Sequence, residues 1–318
     1  MTLKIPVGVS QCLLGDPVRF DGGHKHSSFI TEQLSPYFDF LALCPEVAIG
    51  LGTPRQPIRL VATDQSTQVR GTRDATLEVS APLKAYAEQQ QTAIEPLCGY
   101  IFMQKSPSCG VFSVKRYNLE GQLIDSDGRG VFADVIMRQF PLLPIEEAGR
   151  LNDARLRENF ITRVFAYHDW RTQVASAPSA KRLLDFYSRY KYQVMAHHLE
   201  SYRQIGPVLA NLKTAPIEQT CDAFLNLFMT ALSHKVTRKG NTNTLMYLRG
   251  YLKNVTSADQ KAELGELIEQ YRNGLVPLVV PLTLLKHYLR ALDDVYLQKQ
   301  TFWSPYPEAL GLRNANQE

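Results

Sequence analysis

Two domains of different class are predicted: an α/β domain with a mainly parallel, Rossmann-like sheet over residues 1–168, and an all-α domain over residues 178–318. Three observations carry this. The chain has 318 residues, more than the roughly 100 to 200 of a usual single domain. Its first half alternates short apolar runs with amphipathic stretches, whereas from Asn152 onward long stretches repeat apolar residues every three or four positions. The charge balance shifts along with the pattern, since residues 1–150 hold 14 Lys and Arg against 16 Asp and Glu and the remainder holds 21 against 15.

In the first half, "IPVGVS" (5–10), "FDFLALC" (38–44), "IRLVAT" (58–63), "GYIFMQ" (99–104) and "GVFSVKRY" (110–117) read as strands. They are short, rich in β-branched and aromatic residues, and bounded by Gly, Pro or polar clusters. Residues 27–37, 74–93 and 131–139 read as helices, and such alternation implies a mainly parallel sheet covered on both faces. In the second half, residues 151–170, 179–205, 217–234, 242–255, 257–274 and 282–300 read as helices. Gly206-Pro207, Gly240, Gly274, Pro277 and Pro281 punctuate them. Ser179 and Ser257 are expected N-caps, because a hydroxyl at that position accepts from a first-turn amide that has no partner within the helix. The small-residue stretch "RTQVASAPSA" (171–180) reads as the linker.

Composition excludes several classes. At 44% hydrophobic and 21% charged residues the chain is an ordinary globular protein, and no window approaches the ~20 apolar residues of a membrane span. The start, "MTLKIPVGVSQ", runs into a strand without a secretory pattern, so a cytoplasmic location is expected. Five widely spread cysteines do not suggest a disulfide framework. The basic second half suits a polyanionic partner as well as it suits a plain solvated surface.

Cys12, Cys44 and Cys109 each fall at the carboxyl end of a predicted strand or in the loop beyond it, the edge where open α/β sheets build their sites. If those strands are neighbours, three thiols meet. Zinc completed by His24 or His26 is one occupant for such a set, and an iron-sulfur cluster is another. Separations of 32 and 65 residues without a CxxC element do not choose between them, and three small buried hydrophobes remain the plain alternative. Cys98 starts its strand and so sits on the opposite edge, as a structural residue, and Cys221 reads as helical core.

The segments "VSQCLLGDPVRFDGGHK", "LCPEVAIGLGTPR", "KSPSCGVFSVKRY" and "GVFADVIMRQFPLLPIEEAGRLNDARLRENF" together resemble the thiouracil desulfidase family, whose members remove sulfur from thiolated pyrimidines. The helical half, with "FYSRYKYQVMAHH", "HKVTRKGNTNTL" and "VPLVVPLTLLKHY", resembles a small bacterial domain found fused to that family or alone. The fused arrangement resembles bacterial enzymes that convert 4-thiouridine in tRNA to uridine. The resemblance implies a 4Fe-4S cluster on Cys12, Cys44 and Cys109 with one iron free of protein ligands, and a net hydrolytic, non-redox release of hydrogen sulfide. It places this chemistry in residues 1–168 and contact with tRNA in residues 178–318. Free thiouracil or a thionucleoside is the alternative substrate, and a non-catalytic, metal-stabilised nucleic-acid-binding regulator is the alternative from another class.

Elementary chemistry fits the leading reading. A thiocarbonyl sulfur is soft and suits an exposed iron, which would make sulfide a better leaving group. Water must then attack C4, and a carboxylate should move its proton. Glu46, two residues after Cys44, is the expected acid/base, although a carboxylate in a first helical turn is also favoured by the dipole alone. Ser106 is expected at the substrate or the water, with Ser108 and Ser10 as further contacts, although both loop serines also suit a tight turn around Pro107. Arg19 and Asp21 either line the mouth or pair across a turn. For RNA, Lys235, Arg238 and Lys239 are the expected phosphate contacts, with Tyr190 and His197 as further contacts, although tyrosines at helical spacing are equally core residues.

Overall fold

The computed structural model describes residues 4–64, 66–292 and 294–314, and the chain divides into two compact units, Met1–Asn152 and Asp153–Glu318. The first unit is built on strands β1 (Ile5–Ser10), β2 (Phe38–Leu43), β5 (Tyr100–Phe102) and β8 (Ile145–Glu147), in the order β2-β1-β5-β8 and parallel throughout. β1 is one of the two inner strands, buried along nearly its whole length, as a parallel strand covered on both faces should be. Its Gly8 pairs with Tyr100 of β5. A β-carbon at Gly8 would overlap the Tyr100 ring, and that ring cannot retreat, because it stacks on Phe102 at 4.0 Å and meets Phe132 edge-on at 6.4 Å.

A second sheet, not expected from the sequence, has the order β4-β3-β6-β7. It takes up β3 (Ile58–Ala62) and β6 (Val114–Tyr117), which pair parallel, and adds antiparallel β4 (Thr67–Gly71) and β7 (Leu123–Gly128). The added strands, "TQVRG" and "LIDSDG", are too polar to show as apolar runs. The helices of this unit are α1 (Pro45–Ala48), α2 (Ser80–Gln89), α3 (Gln91–Ile94) and α4 (Val131–Gln139). α2 starts six residues later than expected because Glu78 bridges to Arg70 and the chain there is still extended. In place of the expected helix 27–37 there is a short π-helical turn, Phe29–Leu34.

The second unit is helical: α5 (Ala154–Trp170), α6 (Ala180–His197), α7 (Leu199–Ala210), α8 (Ile217–Ser233), α9 (Arg238–Arg249), α10 (Ala258–Arg272), α11 (Val279–Leu289) and the short α12 (Val295–Gln298). Ser179 caps α6 and Ser257 forms a full capping box with Gln260. The division between units precedes α5, and part of the expected linker, Arg171–Ala175, continues α5 as a π-helical turn. The expected helix 179–205 breaks at His198, whose imidazole accepts the Ser201 amide and so caps α7, while Pro207 lies inside α7. Among the described residues, no helix is long and apolar enough to cross a membrane.

Three expected RNA contacts are taken up by the fold of this unit. Tyr190 is core, stacked on Phe186 at 4.5 Å beside Phe228 at 5.2 Å. His197 is also buried, with Nδ1 2.8 Å from the His234 carbonyl and Nε2 2.9 Å from the Gln193 amide nitrogen. Arg238 folds back, donating to the Tyr271 carbonyl at 2.8 Å with its guanidinium 5.3 Å over the Tyr271 ring. Lys235 and Lys239 remain exposed.

Two stability predictions follow from this packing. Gly8→Ala forces overpacking between β1 and a boxed ring and should cost about 1–3 kcal/mol, read as a lower urea midpoint at unchanged m-value. Burial pushes the His197 pKa down to about 4, whereas in the unfolded chain it lies near 6.5. The unfolded state therefore takes up the proton first, so the stability present above pH 6.5 declines as the pH falls toward 4. On the order of 3 kcal/mol is at stake. Urea unfolding at pH 7 and 4.5 should show most of this loss in the wild type, and His197→Gln should be correspondingly less pH-sensitive.

Candidate active site

Because β1, β2 and β5 are parallel neighbours, their carboxyl ends lie side by side, and each delivers one thiol. Cys12 sits in the 3-10 turn Gln11–Leu14 after β1, Cys44 follows the last residue of β2 and caps α1, and Cys109 lies in the loop after β5. All three line one cleft of about 450 Å³. Cys98 precedes β5, buried at the opposite edge of the sheet, where its amide donates to the Pro6 carbonyl. Cys221 is buried in α8.

Burial raises the pKa of each cleft thiol. Cys12 goes up to about 11, with Cys44 adding to the shift and Arg19 opposing it. Cys44 goes up by burial, partly offset by the Val47 amide, and Cys109 goes up further, with the Glu46 charge adding to the effect. Free thiols in this state are poor nucleophiles at neutral pH, whereas a bound metal would hold them as thiolates. Among the described residues, no three His, Cys, Asp or Glu side chains are grouped to hold a metal ion. His24 and His26 are not among the cleft residues, and His26 Nε2 is spent on the Thr31 hydroxyl at 2.8 Å. The zinc arrangement weighed from the sequence is therefore not formed. Three soft donors spread around a roomy cleft fit a polynuclear iron-sulfur group better than one ion.

The loop Lys105–Gly110 that carries Cys109 is held from two sides. Ser106 Oγ accepts the amides of Ser108 and Cys109 at 3.2 and 3.1 Å. From α4 and the residue before it, the amides of Gly130, Val131 and Ala133 donate to the carbonyls of Gly110, Pro107 and Ser108 at 2.7, 3.0 and 3.1 Å. A β-carbon at Gly130 would strike the Ser108 carbonyl, so this close approach requires glycine. Lys105 has a positive φ, 59°, at the point where the chain leaves β5 for the loop.

Glu46, in the first turn of α1, reaches this loop. Its Oε1 accepts from the Ser108 hydroxyl, with Ser106 Oγ 3.3 Å from the same oxygen and 2.9 Å from Ser108 Oγ. Its Oε2 accepts from Arg55 Nε and Nη2 at 3.0 and 2.7 Å, and Arg55 Nη1 donates to the carbonyls of Val18 and Gly52. Both side chains are nearly buried, at 5% and 13% exposure. Arg55 had no role in the sequence reading: it ends the "LCPEVAIGLGTPR" segment, and nothing local shows that it folds back onto Glu46. Glu147 was also missed. Its Oε1 accepts the amides of Val111 and Phe112 at 2.7 and 3.2 Å, and the signal was a carboxylate pair directly after the apolar "PLLPI" (141–145).

Ser10, Arg19, Ser106 and Ser108 line the cleft as well. The Ser10 hydroxyl accepts the Met103 amide at 2.9 Å and so ties β1 to the end of β5. Arg19 and Asp21 pair at 3.6 Å, and Asp21 accepts the Gly23 amide at 3.0 Å. The turn role therefore accounts for Asp21, while Arg19 also borders the cleft. Lys235, Arg238 and Lys239 belong to the second unit, before and at the start of α9.

Comparison with known proteins divides the chain in the same way. Residues 7–148 match the family described as 2-thiouracil desulfurase, and residues 191–307 match DUF1722, a protein family of unknown function. The uncharacterized protein YbgA of Escherichia coli (strain K12) is 30% identical over 169 residues, 52% of this chain and 98% of its own. The uncharacterized protein YbbK of Bacillus subtilis (strain 168) is 30% identical over 156 residues, 46% of this chain and 97% of its own. The solved structure of the [4Fe-4S]-dependent thiouracil desulfidase TudS aligns at 29% identity and a TM-score of 0.37, covering 47% of this chain and 95% of TudS. The chain belongs to the 2-thiouracil desulfurase family through its first unit and carries a DUF1722 domain in its second.

Proposed function

We propose that the protein replaces the sulfur of 4-thiouridine in tRNA by oxygen and releases hydrogen sulfide, with Cys12, Cys44 and Cys109 holding a 4Fe-4S cluster. One observation carries the reading: a chain from Ser106 through Ser108 to Glu46 stands in the same cleft that Cys12, Cys44 and Cys109 line. When bound, the cluster would supply an iron without a protein ligand, a soft Lewis acid for the thiocarbonyl sulfur. The chain's own residues account for the remaining steps. Glu46 takes a proton from the water that attacks C4 and passes it to the departing sulfur, and the proton left on the new C4 hydroxyl follows by the same route, so that one water enters, one hydrogen sulfide leaves and nothing is oxidised. Ser108 and Ser106 pass protons between the carboxylate and the cleft. Arg55 holds Oε2 and so turns Oε1 toward the two hydroxyls.

The charge of the cleft supports a phosphate-bearing substrate over a free base. Arg19, Lys25, Arg55 and Lys105 line it against Glu46 as the one carboxylate, although residues 1–150 as a whole are slightly acidic. The second unit, with an excess of 6 positive charges and Lys235 and Lys239 exposed, suits recruitment of RNA. Free thiouracil is the alternative that the family description favours. A non-catalytic nucleic-acid-binding regulator leaves the serine-to-glutamate chain without a purpose.

Anaerobically reconstituted protein incubated with 4-thiouridine-containing tRNA should yield uridine on nucleoside analysis together with free sulfide, faster than with 4-thiouracil. No uridine would remove the tRNA reading, and sulfide from 4-thiouracil alone would establish the alternative. Cys12→Ala, Cys44→Ala and Cys109→Ala should each lose iron and turnover, whereas Cys98→Ser and Cys221→Ser should keep both. A full iron complement in Cys109→Ala would sink the ligand assignment. Glu46→Gln should retain iron but lose about a hundredfold or more in turnover, and undiminished turnover would remove Glu46 from the mechanism. Arg55→Met strands a nearly buried carboxylate and should cost about 3–5 kcal/mol by chemical denaturation. Arg55→Lys, which keeps the charge without the fork, should recover part of that stability.

A further inference from the structure

The DUF1722 unit carries a surface that its fold does not explain. On α9, Asn241, Thr244, Leu245 and Leu248 face the bundle. The opposite side should be charged in an ordinary surface helix. Here it runs Lys239, Asn243, Met246, Tyr247 and, one turn on, Tyr251. Met246, Tyr247 and Tyr251 are 47%, 49% and 36% exposed, and no acidic residue stands among them. Scattered exposed hydrophobics are ordinary, but a contiguous group with aromatic faces marks a contact surface.

The two exposed rings are also fixed. Their centroids are 6.4 Å apart and both rest on Tyr192, at 5.8 and 6.5 Å. Tyr192 is fully buried, and its hydroxyl is 2.7 Å from that of Tyr251. A ring buttressed in this way loses little freedom when something stacks on it. Cations flank the patch: Lys239 four residues before Asn243 on the same face, and Lys191 with its ammonium 5.9 Å from the Tyr192 ring.

We propose that Tyr247 and Tyr251, flanked by Lys239 and Lys191, form a stacking platform for unpaired RNA bases. Aromatic faces beside lysines bind bases by stacking and the connecting phosphates by charge, without needing sequence readout. The unit's excess of 21 Lys and Arg over 15 Asp and Glu favours a polyanion over a protein partner. The platform extends the reading of RNA as substrate by naming which part of the RNA the second unit holds: single-stranded or splayed-out bases, rather than a duplex backbone.

The test is fluorescence anisotropy of the full-length protein with a labelled, unthiolated heptauridylate and with an RNA duplex of equal length. Because a stacked base contributes about 1–3 kcal/mol, Tyr247→Ala/Tyr251→Ala should weaken heptauridylate binding about tenfold or more. Tyr247→Phe/Tyr251→Phe should stay within about threefold of wild type, since stacking needs the ring and not the hydroxyl. Lys239→Glu, which leaves the aromatic packing intact, should also weaken binding several-fold, so the test survives a misfolded alanine variant. Turnover of free 4-thiouracil should be the same in wild type and all variants. Equal heptauridylate binding by wild type and a folded alanine pair, loss as large in the phenylalanine pair, tighter binding of the duplex, or no binding by the wild type would each overturn the platform. If the protein released no sulfide from any substrate while ring-dependent binding persisted, the desulfidase reading would fail and the platform would stand.

Discussion

The central position of β1 is the constraint on which the first unit depends. Ile5–Ser10 pairs with β2 on one side and β5 on the other, both parallel. Parallel neighbours end on the same edge, so residues far apart in sequence are delivered to one place without any local motif. Cys12, Cys44 and Cys109 stand just beyond the ends of these three strands, and Glu46 and Ser106 follow within a few residues of the same ends. The packing above the strands is equally particular. Gly8 makes room for Tyr100, and Gly130 lets the start of α4 hold the loop that carries Cys109.

Around this edge, charge is handled in two different ways. Glu46 is compensated within the protein, by Arg55 on one oxygen and serine hydroxyls on the other. A nearly buried pair of this kind gains little net stability because desolvation offsets the attraction. Its use is positional, since it holds one carboxylate oxygen toward the cleft. The thiols are compensated only in part, by Arg19 near Cys12, the Val47 amide at Cys44 and the Ser108 hydroxyl at Cys109. Burial raises all three, so any positive centre that held them ionised would add its binding free energy to the stability of the folded state.

The second unit is organised by aromatic packing. Trp170, Phe186, Tyr190, Phe224 and Phe228 interlock with centroid separations of 4.5–6.1 Å. A second core of aliphatic residues surrounds Tyr192, Tyr271, Phe302 and Trp303. The same residue type is found both in the core and on the surface here. Tyr192 and Tyr190 are inside, whereas Tyr247 and Tyr251 rest on Tyr192 with their outer faces open. Which tyrosine does which is set by position relative to the helix axis, and helical spacing alone does not distinguish them.

The sequence by itself determined the two fold classes, the strands at 5–10 and 38–43, helix α4 and most of the long helices, because apolar periodicity and caps such as Ser179 and Ser257 are local. It also located the three cysteines at strand ends, because each apolar run stops before or at them. Tertiary structure alone decided that those strands are neighbours, that "IRLVAT" and "GVFSVKRY" leave the first sheet for a second, and that His198 divides a seemingly continuous helix. It alone decided that Arg55 folds onto Glu46, that Glu147 holds the Val111 and Phe112 amides, that Tyr190 and His197 are buried and that Arg238 packs on Tyr271. The physical reason is common to all of these. Each depends on a partner distant in sequence, a paired strand, a facing carboxylate or a ring packed from another helix, and residue periodicity carries no record of such partners.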